Sequence, residues 1–204
     1  MKQGLFITLE GMDGAGKSTQ ITAIRKLLET KGHEVIVTRE PGGTAISEKI
    51  REIILDRENA EMDPMTEALL YAAARAQHVT RVIQPALEQG THVVCDRFID
   101  SSVAYQGYGR GLGDSVSIIN AYAAAGCVPD ITFFLRLEPD VSKGRIQEGS
   151  LDRIELEAMD FHQRVFHGYE ELALQFPERI ITIDAAEEIS AVSETIREHI
   201  ERLL

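Results

Sequence analysis

The chain has 204 residues, 44% of them hydrophobic and 26% charged, and a formal net charge of −12. That length suits one core with one mobile excursion rather than two cores, and no apolar run approaches the roughly 20 residues of a membrane span. The acidic balance excludes a general nucleic-acid binder, which needs a basic surface to displace counterions, so any phosphate must be held by local arginines.

Met1-Lys2-Gln3-Gly4 enters an apolar run directly, without a signal-peptide pattern, so a cytoplasmic location is expected. Leu5 to Leu9 reads as a buried strand. Gly11-Met12-Asp13-Gly14-Ala15-Gly16-Lys17-Ser18-Thr19 follows at once and fits G-x-x-x-x-G-K-[ST]. Its glycines let backbone N–H groups close around phosphate oxygens, and the next helix presents unpaired N–H groups and about half a positive charge at its first turn. Lys17 is spaced to reach β- and γ-phosphates and Ser18 to place a hydroxyl on Mg²⁺, while Ile21, Ile24 and Leu28 stripe the helix behind them. Strand, loop and helix occur in the required order, which makes this a nucleoside triphosphate site.

Gly32 ends that helix, and Glu34 to Thr38 reads as a second strand leading into Arg39-Glu40-Pro41-Gly42-Gly43-Thr44. A short helix is predicted over 45–55, with Arg51 off its apolar side, and then a polar link over 56–64. Leu69, Ala72, Ala76, Val79, Ile83 and Ala86 alternate steps of three and four, which predicts a long helix over 65–88 that Pro85 can kink. Tyr71 and Arg75, four apart, share another of its faces. Thr91 to Cys95 reads as a third strand handing over to Asp96-Arg97, and a helix follows from near Ser101 to Gly107. A glycine loop covers 109–113 and an alanine-rich helix 114–125. Asp130 to Leu137 is the fourth strand, and Glu138-Pro139 opens a helix that falters at Gly149-Ser150 within the mostly polar stretch 143–155. Met159, Phe166, Tyr169, Leu172 and Phe176 restore helical spacing, Arg179 to Asp184 is the fifth strand, and Ile189, Val192, Ile196, Ile200 and Leu203 stripe a closing helix.

Five strands alternating with helices imply right-handed crossovers and a five-stranded parallel sheet covered on both faces, the three-layer α/β/α arrangement of a P-loop NTPase. Periodicity leaves the strand order open. The loops at 11–18, 39–44 and 96–97 each follow a strand and so open onto one crevice. Lys17, Arg39 and Arg97 reach it from strand ends, and Arg51 and Arg75 from nearby helices. One triphosphate does not need so many cations; a second phosphate-bearing ligand, held by bidentate guanidinium groups, does. Ser102 and Gln106, four apart, offer a hydroxyl and a carboxamide to the edge of a planar base, against the alternative of an exposed polar face. Cys95 and Cys127 show no C-x-x-C spacing and read as buried reduced thiols, and His162 and His167, five apart, share no helix face that would make a metal pair.

The stretches Leu9 to Thr19, Thr38 to Thr44, Leu69 to Arg75, Leu151 to Glu155 and above all Asp96-Arg97-Phe98-Ile99-Asp100-Ser101-Ser102-Val103-Ala104-Tyr105-Gln106-Gly107 resemble the thymidylate kinases. The resemblance implies a single nucleoside monophosphate kinase domain over 1–204, a lid at about 143–155, and transfer of a phosphoryl group from MgATP to dTMP. It implies that Arg39, Arg51 and Arg97 hold the acceptor phosphate. Tyr71, Arg75, Ser102 and Gln106 are implied to recognise thymine, with the ring stacked on Tyr71, where relatives often carry phenylalanine. Tyr105 is implied to crowd the sugar 2′ position, and Asp13 to lie near the 3′-hydroxyl. The family also implies a homodimer, although intrachain packing explains the alanine-rich helix faces equally well.

A monophosphate is already an anionic nucleophile, so catalysis consists of alignment and charge neutralisation. Lys17 and Mg²⁺ cover one side of the transferring group. Arg145 and Arg153 flank the polar stretch from Ile146 to Asp152, and either is placed to swing over the phosphoryl from a closing lid; Ile146 to Leu151 itself carries no positive charge. Asp96 is expected to orient water bound to Mg²⁺. The competing readings are a kinase for another nucleotide or deoxynucleoside, and a nucleotide-dependent switch or binding module. The absence of an N-K-x-D guanine signature and the excess of arginines speak against a switch.

Overall fold

A computed structural model describes residues 4–145 and 151–204, so Met1 to Gln3 and the centre of the expected lid, including the break at Gly149-Ser150, lie outside the described residues. The strands are β1 (Phe6–Glu10), β2 (Val35–Arg39), β3 (His92–Asp96), β4 (Ile131–Arg136) and β5 (Ile180–Asp184). The helices are α1 (Lys17–Thr30), α2 (Ala45–Leu55), α3 (Pro64–His78), α4 (Gln84–Glu88), α5 (Ile99–Ser102), α6 (Asp114–Ala124), α7 (Pro139–Arg145), α8 (Met159–Gln175) and α9 (Ile189–Leu203). The sheet order is β2-β3-β1-β4-β5, and every neighbouring pair is parallel.

Alternation along the strands decides which helices cover which face. Ile7, Leu9, Phe133 and Leu135 turn to one side and bury against Ile24 and Leu28 of α1 and Val192, Ile196 and Ile200 of α9. Phe6, Val93 and Cys95 turn to the other, against Val79, Ile83, Leu87 and Phe98. Further along that side, Phe134 packs with Tyr105, Phe161, Val165, Tyr169 and Leu172 under α8. Burial on both faces is why these strands read as continuous apolar runs rather than as alternating ones.

Asp63 caps α3, its carboxylate accepting the Met65 N–H at 2.8 Å, with Pro64 at the first helical position, where no donor is needed. The expected 65–88 helix is continuous, but its irregularity is a π-helical turn over Val79–Ile83 rather than a kink at Pro85. A wider turn just ahead of a proline displaces the carbonyl its ring would otherwise strike. The helix expected from Ser101 starts earlier, at Ile99, and widens into a second π-helical stretch over Val103–Gly109.

Candidate active site

From β1 the chain passes to β2 on one side, and from β3 it crosses to β4 on the other, so a crevice opens at the carboxyl ends of β1 and β3. It is lined by Asp13, Lys17, Arg39, Arg51, Tyr71, Arg75, Asp96, Arg97, Ser102, Tyr105 and Gln106, together with Glu40, Ser101 and Glu155. Every residue expected on the acceptor side converges there.

The chain leaves β1 through Gly11 at φ +133°, where a Cβ would stand 2.5 Å from the Leu135 carbonyl oxygen, so only glycine lets the loop pass β4. Gly16 ends the loop in the left-handed region at φ 93°, and Lys17 begins α1. Lys17 is buried and its ammonium folds over the loop, donating to the carbonyls of Gly11 at 3.1 Å and Met12 at 3.0 Å. Burial first, then the Arg97 charge, push its pKa below the ordinary lysine value, which a bound phosphate would reverse. Ser18 lies exposed in the first turn of α1. Asp13 accepts from Arg97 at 2.7 Å and from Lys17 at 3.4 Å. Desolvation raises the Asp13 carboxyl, but those two cations outweigh it and hold the group well below the usual carboxylate range.

Arg97 has φ 67°, a left-handed conformation for a residue with a full side chain. Such a position costs roughly 1–3 kcal/mol and persists only where the surroundings enforce it. Here its backbone N–H is fixed to the Leu9 carbonyl at 2.9 Å, and its guanidinium reaches Asp13 and the Tyr169 hydroxyl, the latter at 3.2 Å, and lies 5.1 Å over the Tyr105 ring. Beside it, Asp96 ends β3 with a buried Oδ1 that has no hydrogen-bond partner among the described residues. Arg39 is exposed and donates to Glu48 at 2.8 Å, and Arg51 donates to the Pro41 carbonyl at 3.0 Å.

Tyr71 and Arg75 line the far end of the cleft from one stripe of α3, on which the buried Glu67 and His78 also lie, at steps of four, four and three. Arg75 is fully buried, donating to Glu40 at 2.7 Å, to Ser102 at 3.0 Å, to the Phe98 carbonyl at 2.9 Å and to Asn120. His78 Nδ1 lies 3.0 Å from the other Glu40 oxygen. Burial raises the Tyr71 phenol well above the ordinary tyrosine value, so it stays a neutral aromatic surface. Ser102 and Gln106 are buried, which removes the exposed-face alternative. Tyr105 stands edge-on to Phe161 and Tyr169 with its hydroxyl unpartnered among the described residues.

Arg153 is not brought to the phosphates. It is buried, donates to the Ile54 carbonyl at 2.8 Å and to Glu67 at 2.6 Å, and does not line the cleft. A guanidinium paired with a buried carboxylate is held there by a desolvation cost that a swing would incur, so in this conformation Arg153 faces Glu67 and not the phosphate loop. Arg145, at the end of α7, remains beside the phosphate loop, 3.4 Å from the Gly14 carbonyl, and α7 is tied to that loop by the Ser142 hydroxyl, which donates to the Asp13 carbonyl. Sequence reasoning missed Glu10, Glu40, Glu67 and His78 as parts of this site. For Glu67 and His78 the signal was available, since the Tyr71–Arg75 spacing extends to both.

Residues 9–196 match the family model described as thymidylate kinase. A protein of Exiguobacterium named thymidylate kinase is 48% identical over 203 residues, covering 98% of this chain and 96% of the relative. One of Oceanobacillus iheyensis with the same name is 52% identical, covering 98% and 91%. The crystal structure of thymidylate kinase from Ehrlichia chaffeensis superimposes with a TM-score of 0.79 at 32% identity, covering 97% of this chain and 99% of that one.

Proposed function

The chain belongs to the thymidylate kinase family, and we propose that it transfers the γ-phosphoryl group of MgATP to dTMP, giving dTDP and ADP. The observation that carries this reading is the single cleft in which the phosphate loop's Lys17 faces Arg39, Arg51 and Arg97. A chain with net charge −12 gathers its cations there for two anions, not one.

The loop 11–19 holds the ATP phosphates. Arg39, Arg51 and Arg97 hold the acceptor phosphate, Arg97 through a conformation that its neighbours fix before substrate arrives. The base stacks on Tyr71 and is read by Arg75, Ser102 and Gln106, while Tyr105 crowds the 2′ position and Asp13 lies near the 3′-hydroxyl. No general base is needed, because the acceptor oxygen is already anionic; the protein aligns donor and acceptor and neutralises charge as it develops. Arg145 supplies the lid cation, a group whose counterparts contribute on the order of 10³ to 10⁵ in rate.

Mg²⁺ would supply charge neutralisation at the donor phosphates. Asp96 and Ser18 fit it: Asp96 Oδ1 is a buried carboxylate acceptor with no donor among the described residues, suited to the water shell of a divalent cation. Residues 1–204 act as one kinase domain with its lid at about 143–155. A cytoplasmic setting is supported by the free thiols of Cys95 and Cys127. No described helix is long and apolar enough to cross a membrane. The enzyme works as a homodimer.

A coupled assay of ADP formation from MgATP tests the reaction: turnover must depend on dTMP, and ATP turnover indifferent to dTMP defeats it. Asp96→Asn is expected to lower kcat about 10²-fold and raise the Mg²⁺ requirement, leaving the KM for dTMP within about threefold. A change confined to that KM would remove Asp96 from the metal side.

A further inference from the structure

Glu67 is a carboxylate with no exposed surface, on the cleft stripe of α3. One oxygen accepts from Gln106 Nε2 at 2.9 Å and Arg110 Nε at 3.2 Å; the other accepts from Arg110 Nη2 at 2.9 Å and Arg153 Nη2 at 2.6 Å. Burial raises its carboxyl, but bonds from Arg110, Gln106 and Arg153 more than offset this and bring it below the ordinary glutamate value, so Glu67 is ionised. An ionised carboxylate only accepts. The amide nitrogen of Gln106 must therefore face Glu67, since a flip would set two oxygens against each other. The amide oxygen is left buried, with no partner among the described residues, on a residue that lines the cleft.

We propose that Glu67 is a specificity-determining residue that fixes the polarity of the Gln106 amide, so that the cleft offers an acceptor to a pyrimidine carrying N–H at ring position 3 and rejects one with a bare nitrogen there. This rests on the reading that Gln106 meets the base. An imide ring such as thymine presents that N–H between two carbonyls; an amino-pyrimidine such as cytosine presents a lone pair beside an amino group. Against a fixed carbonyl oxygen the first forms a hydrogen bond, and the second sets two acceptors together and leaves both unsatisfied. Discrimination of this kind is strong because the protein's own buried polar atom goes unpaired with the wrong ligand. Arg110 and Arg153 are positioning residues in this scheme, keeping Glu67 charged and still.

The test compares kcat/KM for dTMP and dCMP in the wild type, Glu67→Gln and Glu67→Asp, with melting temperatures recorded for each. Glutamine at 67 can donate or accept, so Gln106 loses its imposed orientation. The dTMP-to-dCMP ratio is expected to fall at least about tenfold, through a higher KM for dTMP and a gain with dCMP, with kcat for dTMP within about threefold. Aspartate still only accepts and should retain the ratio. An equal loss for both substrates in Glu67→Gln, with the ratio intact, overturns the proposal and leaves Glu67 a structural residue. Should Glu67→Gln not fold, Gln106→Leu decides: a collapsed ratio supports the proposal, and an unchanged ratio overturns it because no amide is there to be oriented. A wild type that turns over neither nucleotide is a distinct result and defeats the functional reading beneath.

Discussion

Glu10 is a carboxylate in a strand where every other residue but Thr8 is apolar, and it is fully buried. It accepts the Phe98 N–H at 2.7 Å and the hydroxyls of Tyr169, at 2.9 Å, and Ser101. These are two of the side chains that hold Arg97, so Glu10 braces the phosphate-holding arginine from behind. Burial, then the charge of Asp100, push its carboxyl from 4.5 up to about 7, against the pull of Ser101 and Arg97. The folded chain therefore keeps a proton that the unfolded chain has released between those two values. A stability contribution that is complete below 4.5 is lost as pH rises through about 7. Glu10→Gln keeps the acceptor for Phe98 and removes the titration. The unfolding free energy from urea titrations is expected to fall between pH 5 and pH 7.5 by about 1–3 kcal/mol more in the wild type than in the variant. Identical pH dependence in the two proteins would assign the effect to another group.

The π-helical stretch Val103–Gly109 carries Tyr105 and Gln106 into the cleft and seats Gly109 against α8. A Cβ on Gly109 would stand 2.7 Å from Phe161 Cε2 and 2.8 Å from Val165 Cγ2, inside van der Waals contact. Phe161 in turn lies edge-on to Tyr105 and 4.6 Å beneath the Arg110 guanidinium. Gly109→Ala must push α8 outward. Overpacking of this kind costs about 1–3 kcal/mol, a fall in Tm of roughly 2–12 °C for a chain of this size, and the KM for dTMP should rise as Tyr105 follows Phe161. Calorimetry showing an unchanged Tm would mean that the two helices separate freely. The strands, the phosphate loop and the arginines after the strands were legible in the sequence because each signal is local: an apolar run, a fixed glycine spacing, a charge directly after a strand. The two π-helical turns were not, since the extra residue in a turn answers to packing between elements rather than to any residue's own preference. The place of Arg153 was hidden for the same reason. Its polar neighbourhood reads as a lid, while the partner that pins it, Glu67, is 86 positions away in the chain. Ser102 and Gln106 were found by spacing, but spacing does not say whether a shared face meets water or a cleft.

Across the whole molecule, α2, α3 and α6 pack side by side, and their outer faces carry exposed Ile46, Ile53, Leu69, Ile118 and Tyr122. Tyr122 is 84% exposed and Ile118, one turn away, 60%, values unusual for large apolar side chains. Ile46 and Ile53 are two turns apart on α2, so both face the same way, and the five residues mark an apolar strip of the kind that identifies a protein interface. On α3, Leu69 is two positions from Tyr71 and so points away from the cleft that Tyr71 lines. One helix can therefore serve the base site with one face and a twin subunit with the other. The strip supports an isologous dimer about a two-fold axis, in which each copy covers the other's α2, α3 and α6. Sedimentation equilibrium is expected to give about 45 kDa, twice the 22.6 kDa of the chain. Ile118→Asp combined with Tyr122→Asp should return it to the monomer mass by placing unpaired like charges in the centre of the contact. Because α3 is shared, the monomeric variant is also expected to show a KM for dTMP raised several-fold, with the phosphate loop and hence the KM for ATP little changed. A wild type that stays at 22.6 kDa at micromolar concentrations would leave the strip without a twin and remove any effect of a partner subunit on the base site through α3.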